Sequence, residues 1–224
     1  HLGSTIEKVR IFTDATRLMM KFVNEIRELG HDVQILNIGG GLGIDYQKNG
    51  TMPDQAELVE SIRTLVPAEL ALIVEPGRSI VGEAGMLVCR VTGVKTNDNK
   101  NFIVIDGSMA ELLRPSLYGA YHHIGFVEAV HGDMQTFDIV GPICEAADFL
   151  GKERELPTPD EGIGLVIYDA GAYSNVMSSN YNLKMHPAEY MVDGTNLVQI
   201  RKAETFDDFM RYFEILGSYK NNLA

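Results

Sequence analysis

The sequence predicts an α/β segment followed by a β-rich one, and three observations carry that reading. First, two amphipathic helical patterns alternate with short apolar runs that end in Gly-bearing loops, the grammar of parallel α/β structure. Second, beyond about Met86 the apolar runs become short, β-rich and separated by turn residues, as an antiparallel β domain requires. Third, 224 residues with 45% hydrophobic content suffice for one large domain or two modest ones with real cores.

The first helix is expected from Asp14 to Leu29, where Leu18, Phe22, Ile26 and Leu29 recur at helical spacing, with Thr13 or Asp14 as cap and Gly30 as the stop. Val33 to Ile38 ("VQILNI"), bounded by Gly39-Gly40-Gly41, reads as a strand buried on both faces. A second helix follows, with Pro53 in its first turn and Leu58, Ile62 and Leu65 on one face; it ends near Pro67. "LALIV" (Leu70 to Val74) is then a second buried strand, running into Glu75-Pro76-Gly77-Arg78. In the second half, "LVCRVTGVK", "NFIVIDG", "QTFDIVG" and "GLVIYDAG" read as strands. The stretch Gly151 to Gly162 ("GKERELPTPDEG") reads as an exposed loop, and "TFDDFMRYFEIL" as a helix capped by Thr205. The α/β portion holds two strands and cannot close a (β/α)8 barrel alone, since that fold takes about 200 residues or more.

Composition excludes several partners. A net charge of −12 and the lack of a Lys/Arg-rich run leave no basic face for nucleic acid or an anionic membrane. No run reaches the roughly 18 to 20 apolar residues that span a bilayer. Two cysteines, Cys89 and Cys144, are too few for a disulfide framework and suit a reducing compartment. Small molecules and proteins are the partners that remain.

Five stretches could carry chemistry. Gly39-Gly40-Gly41-Leu42-Gly43 follows a strand directly, and its glycines let backbone N–H groups approach an anion; an ordinary tight turn is the alternative. Glu75 and Arg78 sit at the end of the next strand, where parallel α/β folds build their sites. A carboxylate and a guanidinium there suit a cationic ring nitrogen and a substrate carboxylate. Arg114 and Tyr118, four residues apart across Pro115, form a loop that presents a guanidinium and a phenol together. His122-His123 has no further ligand at metal spacing and reads as non-metal. In "GPICEAAD", Cys144 is followed directly by Glu145, with Asp148 three further on, and acidic neighbours disfavour a thiolate, which suits a proton donor. "DAGAYSNVMSSNYN" offers Tyr173 and Tyr181 as polar-tipped anchors in a run of small residues.

In sequence order, "HLGS", "GGGLGI", "EPGR", "DGSMAELLRPSLY", "GPICEAAD" and "GAYSNVMSSNYN" resemble the meso-diaminopimelate decarboxylases, of the alanine-racemase-like (fold type III) pyridoxal-phosphate decarboxylases. "TGVKTNDNKNFIVIDGSMAELLRPSLY" and "ADFLGKERELPTP" are similar to the plant-type branch. The resemblance implies residues 1–87 as the C-terminal part of a pyridoxal-phosphate-binding (β/α)8 barrel and 88–224 as a C-terminal β domain with a terminal helix. It also implies a homodimer with shared active sites.

The resemblance further implies residue roles. His1 would stack on the cofactor ring, Ser4 and Gly41 would contact its phosphate, and Glu75, within Glu75-Pro76-Gly77-Arg78, would pair with the pyridine nitrogen. Arg78, Arg114 and Tyr118 would contact substrate carboxylates. Cys144 would donate the proton and Glu145 would meet the distal ammonium, both across the dimer. Tyr181 would lie near phosphate and substrate. The implied reaction is loss of CO2 from meso-diaminopimelate to give L-lysine, with no metal; ornithine, arginine and carboxynorspermidine decarboxylases share several of these motifs. Glu145 directly after the cysteine, together with Arg114-Pro115 and Tyr118, favours a substrate with two amino-acid ends.

One departure stands out. None of the lysines, Lys8 through Lys220, matches the family's Schiff-base lysine, which precedes the His-x-Gly-Ser motif. The chain is therefore expected to be the C-terminal part of a longer decarboxylase and inactive alone; a non-catalytic relative acting as a binding or regulatory partner is the alternative. The expected compartment is intracellular, the plastid stroma on the plant-type resemblance and the cytoplasm otherwise.

Overall fold

A computed structural model describes residues 1–214; the end of the predicted terminal helix and Lys220 lie outside the described residues. The first part holds α1 (Val9–Glu28), β1 (Ile35–Asn37), α2 (Gln55–Arg63) and β2 (Ala71–Ile73). β1 and β2 pair in parallel, Ile35 opposite Ala71 and Asn37 opposite Ile73, as the βα alternation predicts. Asp54 caps α2 by accepting from the Ala56 N–H at 3.1 Å, and Pro53 precedes that cap instead of lying in the first turn.

α1 starts at Val9, five residues before the expected Asp14. It buries Phe12, Thr16 and Val23, and Thr16 returns its hydroxyl to the Phe12 carbonyl at 2.8 Å. The stripe that periodicity selects, Leu18, Phe22, Ile26 and Leu29, faces away from that core and is exposed. The helix is apolar on two faces, and only one meets β1, β2 and α2. The same holds for the strands expected to be buried on both faces. Leu36 is buried, whereas its neighbours Ile35 and Asn37 are exposed, and β2 exposes Ala71 and Ile73.

From β2 the chain enters the short helix α3 (Arg78–Val81) and then the sheet of the second part. Its strands are β3 (Leu87–Asn97) and β4 (Lys100–Ile105), then, after helix α4 (Arg114–Tyr118), β5 (Ile124–Phe126), β6 (Met134–Val140), β7 (Phe149–Pro157) and β8 (Gly164–Ile167). They form one six-stranded sheet in the order β5-β8-β3-β4-β6-β7. The expected antiparallel domain is corrected at one point: β4 and β6 run parallel, joined by the long connection that carries α4 and β5. The sheet curls until its edges meet. A side chain at Gly151 on β7 would stand 2.7 Å from Ile124 Cδ1 on β5. Inside lie Val91, Ile103, Ile105, Leu112, Phe137, Ile139, Leu150, Leu165 and Ile167, all buried. Removing each from water stabilises the fold by about 1.5–3 kcal/mol before entropic costs.

Residues 151–162, expected as an exposed loop, instead provide most of β7 and the turn after it. Lys152, Glu153 and Glu155 are exposed while Leu150, Gly151 and Leu156 are buried. A bulge at Glu153, with φ of 53° and its N–H on Asp138 Oδ1 at 2.9 Å, breaks the alternation that would have marked the strand.

After β8, two 3-10 turns lead to a separate hairpin of β9 (Glu189–Asp193) and β10 (Asn196–Arg201), then α5 (Phe206–Met210). Gly194-Thr195 turns this hairpin between the paired Asp193 and Asn196, with Gly194 at φ of 59°. Thr205 caps α5 as expected, in a reciprocal capping box with Asp208.

The loop after β8 docks the two parts. Ala170 and Gly171 donate their N–H groups to the carbonyls of Gly85 (2.8 Å) and Gly82 (3.0 Å), and a Cβ on Gly171 would stand 1.8 Å from the Val81 carbonyl oxygen. Lys48 reinforces the junction, reaching Asp169 at 2.9 Å and Glu83 at 3.2 Å.

Candidate active site

The ends of β1 and β2 bring the N-terminal stretch, the glycine loop and the Glu-Pro-Gly-Arg stretch together. Asn37, the last residue of β1, accepts from the Gly39 N–H at 2.8 Å and donates to Glu75 Oε1 at 2.6 Å. The Glu75 N–H in turn bonds the Gly39 carbonyl at 2.8 Å. A Cβ on Gly40 would stand 2.0 Å from the Glu75 carbonyl oxygen, and one on Gly41, at φ of 114°, 2.2 Å from that of Gly3. Only glycine fits between these two segments. His1 lies over Gly39, whose Cβ would come within 3.2 Å of its Nδ1. His1, Gly41 and Glu75 are thus neighbours, with the Glu75 carboxylate, Pro76 and Gly77 exposed.

Arg78 opens α3 and is buried. Its Nη2 donates to Ser4 Oγ at 3.0 Å, its Nη1 donates to the Tyr46 hydroxyl, and its Cζ lies 4.7 Å from the centre of the Tyr173 ring. Arg78 Nε is buried without a hydrogen-bond partner among the described residues. Arg114, expected on a loop, opens the helix α4, with Pro115 in its first turn and Gly119 ending it at φ of 61°. Arg114 is also buried; its Nη1 lies 2.7 Å from His122 Nε2 and its Cζ 4.7 Å from the Tyr46 ring centre. Burial, and to a lesser degree the charge on Arg78, hold the Arg114 guanidinium below its ordinary pKa. Ser4, Tyr46, Arg78, Arg114, Tyr118 and Tyr173 share the lining of one cavity of about 790 Å³. Sequence singles out five of these: Ser4, Arg78, Arg114 and Tyr118 as site residues and Tyr173 as a polar-tipped anchor. Tyr46 and His122 are not among them.

Cys144, Glu145 and Tyr181 do not line that cavity; they form a second cluster. The Tyr181 hydroxyl donates to Glu145 Oε2 at 2.9 Å, and Asn182 Nδ2 reaches the Cys144 carbonyl at 3.4 Å. The Ala147 N–H and then the Tyr181 hydroxyl hold the Glu145 carboxyl below its usual range, and Glu145 pushes the phenol of Tyr181 up. Cys144 is exposed, whereas burial pushes the Cys89 thiol to about 12. Asp148, expected as an acidic neighbour of the thiol, turns inward. It accepts from Met109 N–H at 2.7 Å and Ile143 N–H at 3.0 Å, tying the loop that carries Cys144 to the one that leads into α4. Burial nevertheless raises its carboxyl above the ordinary value.

Among the described residues, no group of His, Cys, Asp and Glu is arranged to hold a metal, and no helix is long and apolar enough to cross a membrane. Parallel β/α structure thus leads into a curled sheet, and two buried guanidiniums line a cavity at the junction. The profile of the pyridoxal-dependent decarboxylases, C-terminal sheet domain, matches residues 14–171, and the chain belongs to that family. It is 56% identical over 222 residues to a probable chloroplastic diaminopimelate decarboxylase of Oryza sativa subsp. japonica, covering 97% of this chain and 45% of the relative. It is 39% identical to the diaminopimelate decarboxylase of Aquifex aeolicus, covering 92% and 50%. The crystal structure of the M. jannaschii diaminopimelate decarboxylase with L-lysine superposes with a TM-score of 0.92 at 34% identity, over 96% of this chain and 51% of that one. The chain spans about half the length of these relatives.

A pyridoxal phosphate fits the residues at the ends of β1 and β2. Glu75 offers an exposed carboxylate fixed by Asn37, Ser4 a hydroxyl already paired with a guanidinium, and the glycine loop a surface free of side chains.

Proposed function

We propose that the full-length protein decarboxylates meso-diaminopimelate to L-lysine and CO2 with pyridoxal phosphate, and that this chain supplies the substrate-recognising half of the site. The observation that carries the reading is the pair of buried guanidiniums, Arg78 and Arg114, lining one cavity with Ser4 and Tyr118. Residues 1–87 are the C-terminal part of an alanine-racemase-like (β/α)8 barrel, and 88–224 the β domain. The exposed apolar face of α1 and the bare faces of β1 and β2 support this, because closing the barrel would cover them.

On this reading His1 lies against the cofactor ring, Ser4 and Gly41 hold the phosphate, and Glu75 accepts from the ring nitrogen. The cofactor supplies the sink for the electrons left when CO2 departs. Arg78, Arg114 and Tyr118 orient the substrate through its carboxylates. Cys144 delivers the proton, and Glu145 takes the distal ammonium. Tyr181 holds Glu145 in place and contacts substrate and phosphate.

That Cys144, Glu145 and Tyr181 do not line the arginine cavity supports a complete site assembled between two copies of the chain, as a homodimer with shared active sites. The likeness to a chloroplastic enzyme supports the plastid stroma as the compartment.

Comparing CO2 release from meso-diaminopimelate and from ornithine by the full-length protein, saturated with pyridoxal phosphate, tests the substrate. Preference for diaminopimelate by about a hundredfold or more in kcat/KM is expected, since ornithine leaves the group that meets its second carboxylate unpaired. Equal rates would remove the two-ended recognition.

A further inference from the structure

Buried arginines ordinarily sit against carboxylates, since an unpaired buried charge is costly. Among the described residues, no acidic side chain lies within 4.0 Å of Arg78 or Arg114. Their acceptors are neutral. Arg78 donates to Ser4 Oγ and to the Tyr46 hydroxyl, and Arg114 donates to His122. The Tyr46 ring lies under both cations, 5.7 Å from Arg78 Cζ and 4.7 Å from Arg114 Cζ, where the ring quadrupole favours positive charge.

His122 is fully buried, and its surroundings leave it one form. Its Nδ1 faces the Tyr168 carbonyl at 2.9 Å, which can only accept, so Nδ1 carries the proton. Nε2, 2.7 Å from Arg114 Nη1, meets a group that can only donate, so Nε2 is the acceptor. A carboxylate at this position would have neutralised Arg114; a neutral imidazole fixes the guanidinium and leaves its charge available. The Tyr46 ring packs edge-on to the His122 ring at 5.1 Å, joining the two supports into one unit.

We propose that His122 and Tyr46 are positioning residues that hold Arg114 and Arg78 side by side with their charges uncompensated, so that the pair grips a ligand carboxylate. The proposal rests on the decarboxylase reading for its choice of ligand.

The test uses the full-length holoenzyme and two inert probes: L-lysine, which carries a carboxylate, and 1,5-diaminopentane, the same skeleton without one. Dissociation constants are measured by calorimetry for wild type, His122→Phe, His122→Gln and Tyr46→Phe. His122→Phe keeps a ring of similar size but no acceptor, and weakens L-lysine about tenfold while leaving 1,5-diaminopentane within about twofold. His122→Gln restores an acceptor and recovers most of the L-lysine affinity. Tyr46→Phe, which keeps the ring, produces a smaller loss confined to L-lysine. Equal weakening of both probes by His122→Phe, unchanged L-lysine binding in it and in Tyr46→Phe, or a wild type that does not bind L-lysine would each overturn the proposal. A wild type that binds L-lysine selectively yet releases no CO2 from diaminopimelate would instead overturn the decarboxylase reading and leave the clamp standing.

Discussion

Tyr181 and Glu145, 36 residues apart, are joined by a hydrogen bond of 2.9 Å from phenol to carboxylate. The bond favours the ionised form of Glu145, which is held below its usual range first by the Ala147 N–H and next by this hydroxyl. Removing the hydroxyl in Tyr181→Phe therefore raises the Glu145 pKa. If the anion receives the substrate's distal ammonium, the acid limb of the kcat/KM profile moves to higher pH in Tyr181→Phe, with the alkaline limb unchanged. A pH–rate profile of wild type and variant checks this, and superimposable acid limbs would remove Glu145 from ammonium recognition.

His122 makes the fold sensitive to acid. Burial, above all, pushes its pKa down to about 4, against an ordinary value of 6.5. The folded state holds the neutral ring, so the unfolded chain binds the extra proton between these values. The stabilisation is complete above about pH 6.5 and is lost as pH falls towards 4, amounting to about 3 kcal/mol. Urea unfolding at pH 7 and at pH 4.5 measures it. His122→Gln, which does not titrate, loses less stability over the same interval than wild type.

Gly41 has no room for a side chain, and its φ of 114° is outside the range other residues adopt. Gly41→Ala displaces the loop from Gly3, destabilises the protein by about 2 kcal/mol or more, and weakens pyridoxal phosphate binding. Thermal melting and titration of the cofactor absorbance follow the two effects separately.

Asp148 anchors the loop that presents Cys144. Asp148→Ala strands the Met109 and Ile143 N–H groups and costs about 2–4 kcal/mol. The same change frees the loop, so modification of Cys144 by a thiol reagent changes rate, while Cys89 stays protected by burial. Unfolding curves together with a thiol-labelling time course give both numbers.

Much of this was legible in the sequence, and the gaps have physical causes. The glycine loop, Glu75, Arg78, Arg114 and Cys144 stand out because their chemistry lies in contiguous motifs. Tyr46 and His122 escape because each acts only through an arginine, 32 and 8 residues away, and the two meet each other only where the two parts dock. β7 was missed because charged residues on its outer face and a bulge at Glu153 hide the period of a strand. The hairpin of β9 and β10 carries a readable signal in the Gly-X turn Gly194-Thr195 between apolar runs. The Leu18–Leu29 stripe is apolar, yet α1 turns Phe12, Thr16 and Val23 to the core instead, and no described element covers the stripe.

The central claim is that the arginine cavity of one copy works with Cys144 and Glu145 of another, and mixed dimers test it most directly. Arg114→Ala and Cys144→Ala are each prepared as full-length protein, mixed, dissociated and reassociated, and CO2 release from meso-diaminopimelate is measured. Each variant alone is nearly inactive. Random pairing places both defects in one site of each mixed dimer and leaves its other site intact, so the mixture recovers about a quarter of wild-type activity. A mixture no more active than its components would contradict the account.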